Sequence, residues 1–404
     1  MSHNFSAKFF INNQKRLSQV LPNQLIVIPA HSLLQQSGDQ TFPFRQDSNF
    51  WYLTGINEPD LVVCIDTSSQ KSILFLPERS EFHTDWDGEY DVSEFRKTSG
   101  IENFEPISEL NKCIKDALKN QKQIGYLEPL PALVEPYGFY SNPSRANLAD
   151  IIKKITQNPK DIRMDLARLR QVKQPEELVA IREAIDITGK ALQDAQDYIK
   201  EHNGKGLNEK NIEYIFSKNF VENGGHAYEP IVASGKNAAT IHYMKNLQPV
   251  ANNAFLLVDV GARVNGYSAD ISRTWFIGEK ITDRHRELYE AVLKIQKYAF
   301  GLLKPGVILK DYQIDVEKYS FKLFKKLNVE IDKYPHGFSH FLGLDTHDAG
   351  DYSSPIVENT VLTVEPGIYL PKEGIGIRVE DDVRITSTGI EVMSKQIPSD
   401  LLYL

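Results

Sequence analysis

The sequence predicts an α/β domain followed by a larger α+β unit whose two halves repeat one arrangement, a helix pair and then sheet. Three observations carry this. Short runs rich in Val, Ile and Leu alternate with amphipathic stretches in the first third; after Pro175, apolar residues recur at three and four over four long segments; and each pair of those segments is followed by strand-length apolar runs. Taken in order, Gln24–Ala30, Leu61–Asp66 and Ser72–Leu76 read as strands, whereas Ile107–Leu118 and Ser144–Ile155 space their apolar residues as helices do. Asn158–Pro175 is basic and aperiodic, and reads as irregular. Pro175-Glu176-Glu177 then opens a helix, because proline suits the first helical position and acids suit the positive end of the dipole. The boundary is set there, giving domains 1–172 and 173–404.

In the second domain Leu178, Ile181, Ile185, Leu192 and Ile199 form one helical stripe and Ile212, Ile215, Phe216 and Phe220 another, stopped by Gly224-Gly225. Strand-like segments follow to Ile277. The order then recurs: Leu288, Val292, Ile295 and Leu302 mark a third helix closed by Pro305-Gly306, Tyr312–Leu327 a fourth, and strands follow at Val361–Leu370 and Ile375–Ile385. A pseudo-twofold unit with helices packed on a curved, largely antiparallel sheet is expected.

Composition excludes several classes. With 41% hydrophobic and 25% charged residues in 404, the chain has the apolar content of an ordinary globular protein. No run approaches the roughly 18 apolar residues of a membrane span, and the polar first residues lack a signal-peptide core. A net charge of −8 argues against nucleic-acid binding. Two cysteines, Cys64 and Cys113, are too few for a disulfide framework or a Cys-ligated zinc. A cytoplasmic chain with neither nucleic-acid nor membrane partner is therefore expected. The acidity is concentrated: Ile331 to Asp382 holds ten acidic residues against three basic ones.

Four acids stand out because they interrupt apolar β segments. Asp259 lies in FLLVDVG and Asp270 in YSADISRTW, on either side of a Gly261–Gly266 turn that lets antiparallel strands bring them together. Glu365 lies in VLTVEPGIYL, and Glu380 in GIGIRVEDDV, where alternation puts Arg378, Glu380 and Asp382 on one face. HGFSHFLGLDTHD adds His340. Singly, each acid is most simply a solvated edge residue. Four together repel by roughly 4 kcal/mol per pair at about 4 Å and an effective dielectric near 20, so a cation is the economical resolution. Carboxylates and imidazole suit Mn, Co, Zn or Fe(II), and two divalent ions would balance four carboxylates while leaving room for a bridging hydroxide. Among the histidines, His3, His31, His83, His202 and His285 read as structural, as do His226 and His336. His242 and His347 flank the acid-bearing strands and are candidate acid/base or binding groups.

Together these segments resemble the pita-bread metallopeptidases and, within them, the proline-specific aminopeptidase P branch. The likeness runs through IVASGKNAATIHYMKN, LLVDVGARVNGYSADISRTW, HGFSHFLGLDTHDAG, TVEPGIYL and GIRVEDDV, and through FRQDSNFWYLTGINEPD (Phe44–Asp60) in the first domain. It implies a creatinase/prolidase-type α/β N-terminal domain before a pita-bread catalytic domain. It implies Asp259 as ligand of one metal, Asp270 and Glu380 as bridging carboxylates, and His340 with Glu365 as ligands of the other. It further implies that His242 and His347 bind substrate and stabilise the tetrahedral intermediate and that Arg378 orients Glu380; on that mechanism Glu365 is expected to shuttle a proton to the leaving nitrogen. The implied reaction is hydrolysis of the bond between an N-terminal residue and a following proline by a metal-bridging hydroxide. Two divalent ions, most simply Mn²⁺, and a homodimer or homotetramer go with it. One departure is that Glu89, Tyr90 and Asp91 follow Trp86 where relatives often carry arginines, so no role is carried onto Trp86, whose plain reading is packing. The alternatives are a prolidase, which shares the ligand set but requires a dipeptide, and a non-catalytic binding protein on the same scaffold.

Overall fold

A computed structural model describes residues 5–129 and 140–404; His3 lies outside them. The chain divides into two compact units, one ending at Arg170 and the other running Gln171–Leu404.

The first unit is built on a six-stranded mixed sheet. Its order is Asn103–Pro106, Lys71–Leu76, Val62–Asp66, Gln24–Pro29, Gln123–Tyr126 and Lys160–Asp161. Gln24–Pro29 pairs antiparallel with Val62–Asp66 and parallel with Gln123–Tyr126, so it is central and buried at all six positions. That explains its unbroken apolar run, since a strand covered on both faces has no reason to alternate. Helices Leu110–Lys119 and Ser144–Ile155 cover one face through Ile114, Leu148 and Ile152. Two expectations are corrected. Arg163–Gln171 is helical, not irregular: Asp165 in its first turn and Arg168 and Arg170 in its last complement the dipole, and Leu166 is fully buried. Trp86 does not pack into a core; it is 73% exposed, with its ring 5.5 Å from that of Phe82.

The second unit repeats one arrangement. Helices Pro175–Glu201 and Glu209–Glu222 precede strands Ile231–Ser234, Ala254–Val260 and Ile271–Ile277; helices Asp283–Leu302 and Leu309–Lys326 precede the strands between Val361 and Val392. Pro175 is the first residue of its helix, closed by a capping box between Gln174 and Glu177. Ala254–Val260 lies between its two antiparallel neighbours. The third helix packs Leu288, Val292 and Ile295 onto Leu362, Val364, Ile377 and Val379, all essentially inaccessible; each such side chain contributes about 1.5–3 kcal/mol of burial. This duplicated helix-on-sheet packing is the pseudo-twofold α+β arrangement expected from the sequence.

One local departure matters for the site. Val361–Leu370 and Ile375–Ile385 are each broken in two, as Val361–Val364 and Gly367–Leu370 against Asp381–Ile385 and Ile375–Arg378. The register is nevertheless continuous, Val364 opposite Asp381 and Gly367 opposite Arg378. Glu365 and Glu380 therefore face each other across a gap in the ladder, where Pro366 has no N–H to give. Among the described residues no helix is long and apolar enough to cross a membrane, and Cys64 and Cys113 are free thiols.

Candidate metal centre

Asp259 and Asp270 meet because Asn265 and Gly266, both at positive φ (49° and 88°), form the tight turn that reverses Arg263–Val264 onto Tyr267–Ser268. Gly261 lets this approach happen: a Cβ there would lie 2.0 Å from the Ala269 carbonyl oxygen. The Tyr228 hydroxyl bridges the two acids, 2.6 Å from Asp259 Oδ1 and 2.5 Å from Asp270 Oδ1.

His340 reaches the same point from the loop before Val361. Its Nδ1 lies 3.0 Å from the Phe341 carbonyl oxygen, and its Nε2 lies 3.3 Å from Asp270 Oδ2 and 3.4 Å from Glu365 Oε1. Both ring nitrogens face acceptors, so the ring needs a proton or a cation at Nε2. Burial alone would lower its pKa, yet the Asp270 hydrogen bond and the Glu365 charge raise it to about 9. Ligand atoms of Asp270, His340 and Glu380 lie within 4.8 Å of one another. Asp259 and Glu365 stand just outside this tightest group.

The carboxylates are short of counter-charge. Burial, opposed by His340 and reinforced by Asp270, brings Glu365 up to about 7. Glu380 is pushed well above the ordinary carboxylate range, by burial first and then by Asp270 and Glu365. Arg378 is a partial remedy: Nη2 bonds Asp259 Oδ2 at 2.5 Å, and Nε reaches Ser272 Oγ at 2.8 Å, which in turn donates to Glu380 Oε2 at 2.7 Å. One guanidinium cannot balance four acids. A hard or borderline divalent cation among O and N donors fits this set, and the four carboxylates and the imidazole are the residues able to hold it.

The seam is pinned from behind. Gln296 Nε2 donates to the carbonyls of Val364 and Val379, the residues just before Glu365 and Glu380, at 3.3 and 3.2 Å. Arg273 Nη1 donates to the Glu380 carbonyl at 2.6 Å while its Nη2 pairs with Asp381 at 2.7 Å. Asp382, expected on the face of Arg378 and Glu380, is buried and takes the Asp270 N–H at 3.2 Å.

The histidines separate. The His347 ring stands edge-on to that of His340, centroids 4.2 Å apart, and burial followed by the His340 charge lowers it to about 4. His242 is exposed and lies within electrostatic reach of His336 and His347. His336, read from sequence as structural, belongs to the centre: Nε2 is 2.9 Å from Tyr369 Oη, which also accepts from Arg378 Nη1 at 2.9 Å, and Nδ1 is 3.7 Å from Glu365 Oε2. Tyr228, Ser272 and Tyr369 were also missed. Only Ser272 carried a signal, two residues after Asp270 on the same strand face.

Comparison with known proteins agrees with this geometry. The sequence pattern "Metallopeptidase family M24" matches residues 179–387, and "Aminopeptidase P, N-terminal domain" matches residues 10–125. The chain is 30% identical to a Xaa-Pro aminopeptidase of Haemophilus influenzae over 95% of this chain and 93% of that one. It is 31% identical to Intermediate cleaving peptidase 55 of Saccharomyces cerevisiae over 98% and 83%. The solved structure of proline aminopeptidase P II from Yersinia pestis superposes with a TM-score of 0.81 at 27% identity, covering 98% of each chain. The chain belongs to metallopeptidase family M24, within its aminopeptidase P branch, and is a metal-dependent aminopeptidase.

Proposed function

We propose that the chain hydrolyses the peptide bond between an N-terminal residue and a following proline, using two divalent ions, most simply Mn²⁺. The carrying observation is His340, whose two ring nitrogens both face acceptors among Asp270, Glu365 and the Phe341 carbonyl. We assign Asp259, Asp270, His340, Glu365 and Glu380 as the ligands. Bound there, divalent metal supplies Lewis-acid polarisation and a water acidified toward neutrality.

The protein's own groups do the rest. Glu365, whose Oε1 lies 3.4 Å from His340 Nε2, takes a proton at a carboxyl oxygen and delivers it to the departing nitrogen. His347, held neutral, offers a ring N–H to the developing oxyanion; His242 binds the peptide from the exposed side. Arg378 orients Glu380 through Ser272 and holds Asp259 directly. A proline nitrogen is tertiary and fixes its backbone, so the second residue calls for a dedicated pocket and offers no N–H to recognise. We assign the chemistry to residues 173–404 and control of substrate length or assembly to residues 1–172, in a cytoplasmic homodimer or homotetramer. Light scattering checks the assembly and fractionation the compartment.

The deciding assay compares a Gly-Pro dipeptide, a longer Xaa-Pro-Xaa peptide and a matched peptide lacking proline, with and without Mn²⁺. Turnover of the longer proline peptide is expected. Preference for the dipeptide would make the chain a prolidase. Turnover of the peptide lacking proline at a comparable rate would contradict the assigned requirement for proline.

A further inference from the structure

Glu209 is the first residue of the Glu209–Glu222 helix, and its side chain is inaccessible to solvent. Oε1 accepts from the Ser234 N–H and from Asn237 Nδ2, both at 2.9 Å. Oε2 accepts from Tyr243 Oη at 2.8 Å and from the Gln248 N–H at 2.9 Å. One turn later Glu213 accepts from Asn246 Nδ2 at 3.0 Å, and Asn246 in turn takes the Val232 N–H at 3.0 Å. The helix thus grips residues 234–248 at five places, and His242 lies within that segment beside Tyr243.

Stability alone is a poor account of this arrangement. A buried carboxylate met by four neutral donors, with no cationic partner among the described residues, bears a desolvation cost that apolar packing would avoid. What a four-way polar clamp adds is position. Tyr243 packs beside Ile231, Ala238, Leu257 and Tyr369, and the Tyr369 hydroxyl already joins Arg378 and His336. Displacing Tyr243 therefore disturbs the backbone that presents His242.

We propose that Glu209 is a positioning residue for the reaction, fixing the 234–248 segment so that His242 meets the substrate at a set distance. The inference rests on the substrate-binding role given to His242 above. Glutamate is required because a carboxylate offers about four acceptor sites, whereas glutamine offers two and turns an NH₂ toward two of the donors. The Tyr243 hydroxyl or the Asn237 amide can reverse to accommodate it. The backbone N–H of Ser234 or of Gln248 cannot.

The test is a double-mutant cycle in the metal-loaded full chain, reading kcat/KM on the Xaa-Pro-Xaa peptide together with bound metal. Glu209→Gln is expected to retain its metal and lose roughly 10- to 100-fold in kcat/KM, the scale of a misplaced contact. In the His242→Ala background the same change should cost less than about twofold, the limit of ordinary additivity. Wild-type kcat/KM in Glu209→Gln, loss of its metal, or losses that multiply across the cycle would overturn the inference while leaving the role of His242 intact. An unchanged His242→Ala enzyme would overturn that role and this inference with it. If Glu209→Gln does not fold, Tyr243→Phe takes its place in the same cycle; it removes one donor, is expected to lose roughly three- to tenfold, and is judged by the same outcomes.

Discussion

Asp47 in the first unit and Glu380 in the metal centre are both almost fully buried, and the protein treats them in opposite ways. Asp47 caps the Ser48–Thr54 helix, accepting the Asn49 and Phe50 N–H groups at 2.9 and 3.0 Å, and receives Arg145 Nε at 2.9 Å with His31 nearby at 3.5 Å. Burial would raise its pKa, but Arg145 and His31 outweigh burial and hold it below the ordinary value. Glu365 and Glu380, with one guanidinium to share, are driven up instead. A carboxylate supplied with its own counter-charge is part of the scaffold. A set left short of one marks where a cation from outside belongs.

The largest test of that contrast is to remove the cation. Chelation, or His340→Ala, should cost about a thousandfold or more in turnover, the scale of several kcal/mol of charge stabilisation. Metal analysis of the same samples must find the ion gone, and a chelated, metal-free chain that kept full activity would end the reading. His347→Ala should instead keep its metal and lose turnover. The mirror experiment is Arg145→Ala, which strands Asp47 without its partner. It should destabilise the first unit by about 3–5 kcal/mol in urea titration and leave bound metal unchanged.

A smaller effect is expected at Tyr228. Tyr228→Phe removes the hydroxyl shared by Asp259 and Asp270 and should weaken metal affinity about 10- to 100-fold by competition with a chelating dye. The smallest is a matter of pH. In the metal-free chain Glu365 and His340 have raised values, about 7 and about 9. Their stabilisation is complete below the unfolded values of 4.5 and 6.5 and is lost as pH climbs through the folded ones. Asp47, lowered, contributes above its unfolded value of 3.8 and loses that contribution as acid protonates it. Scanning calorimetry on metal-free protein should therefore show a midpoint falling by roughly 2–4 °C between mildly acidic and alkaline buffer, a slope that saturating Mn²⁺ abolishes. A midpoint that rose over the same range would contradict the assignment of His340.

Much of this was legible in the sequence, for physical reasons. The helices from Pro175 to Glu201 and from Asp283 to Leu302 carry long apolar stripes, and Asp259, Asp270, Glu365 and Glu380 were visible because a charge inside a β run is anomalous. Arg163–Gln171 was not legible: five of its nine residues are charged or amide, and its burial depends on a few apolar positions. Tyr228 and Tyr369 were hidden because a tyrosine's hydroxyl partners come from distant strands. His336 was hidden because nothing local distinguishes a histidine that meets Tyr369 from one that meets water. The pairing of Asp47 was hidden too, because its partner Arg145 lies 98 residues away.

The gap in the ladder at Glu365 and Glu380 makes the centre sensitive to chain length as well as to residue identity. These two acids oppose each other only while the register holds on both sides of the gap, and on one side it is set by the turn joining Leu370 to Ile375, which Gly374 at φ 67° completes. Adding or removing a single residue in that turn would slip the pairing and swing one acid to the opposite face, although every candidate ligand remained in the sequence. A chain can thus read as an intact peptidase and still be inactive.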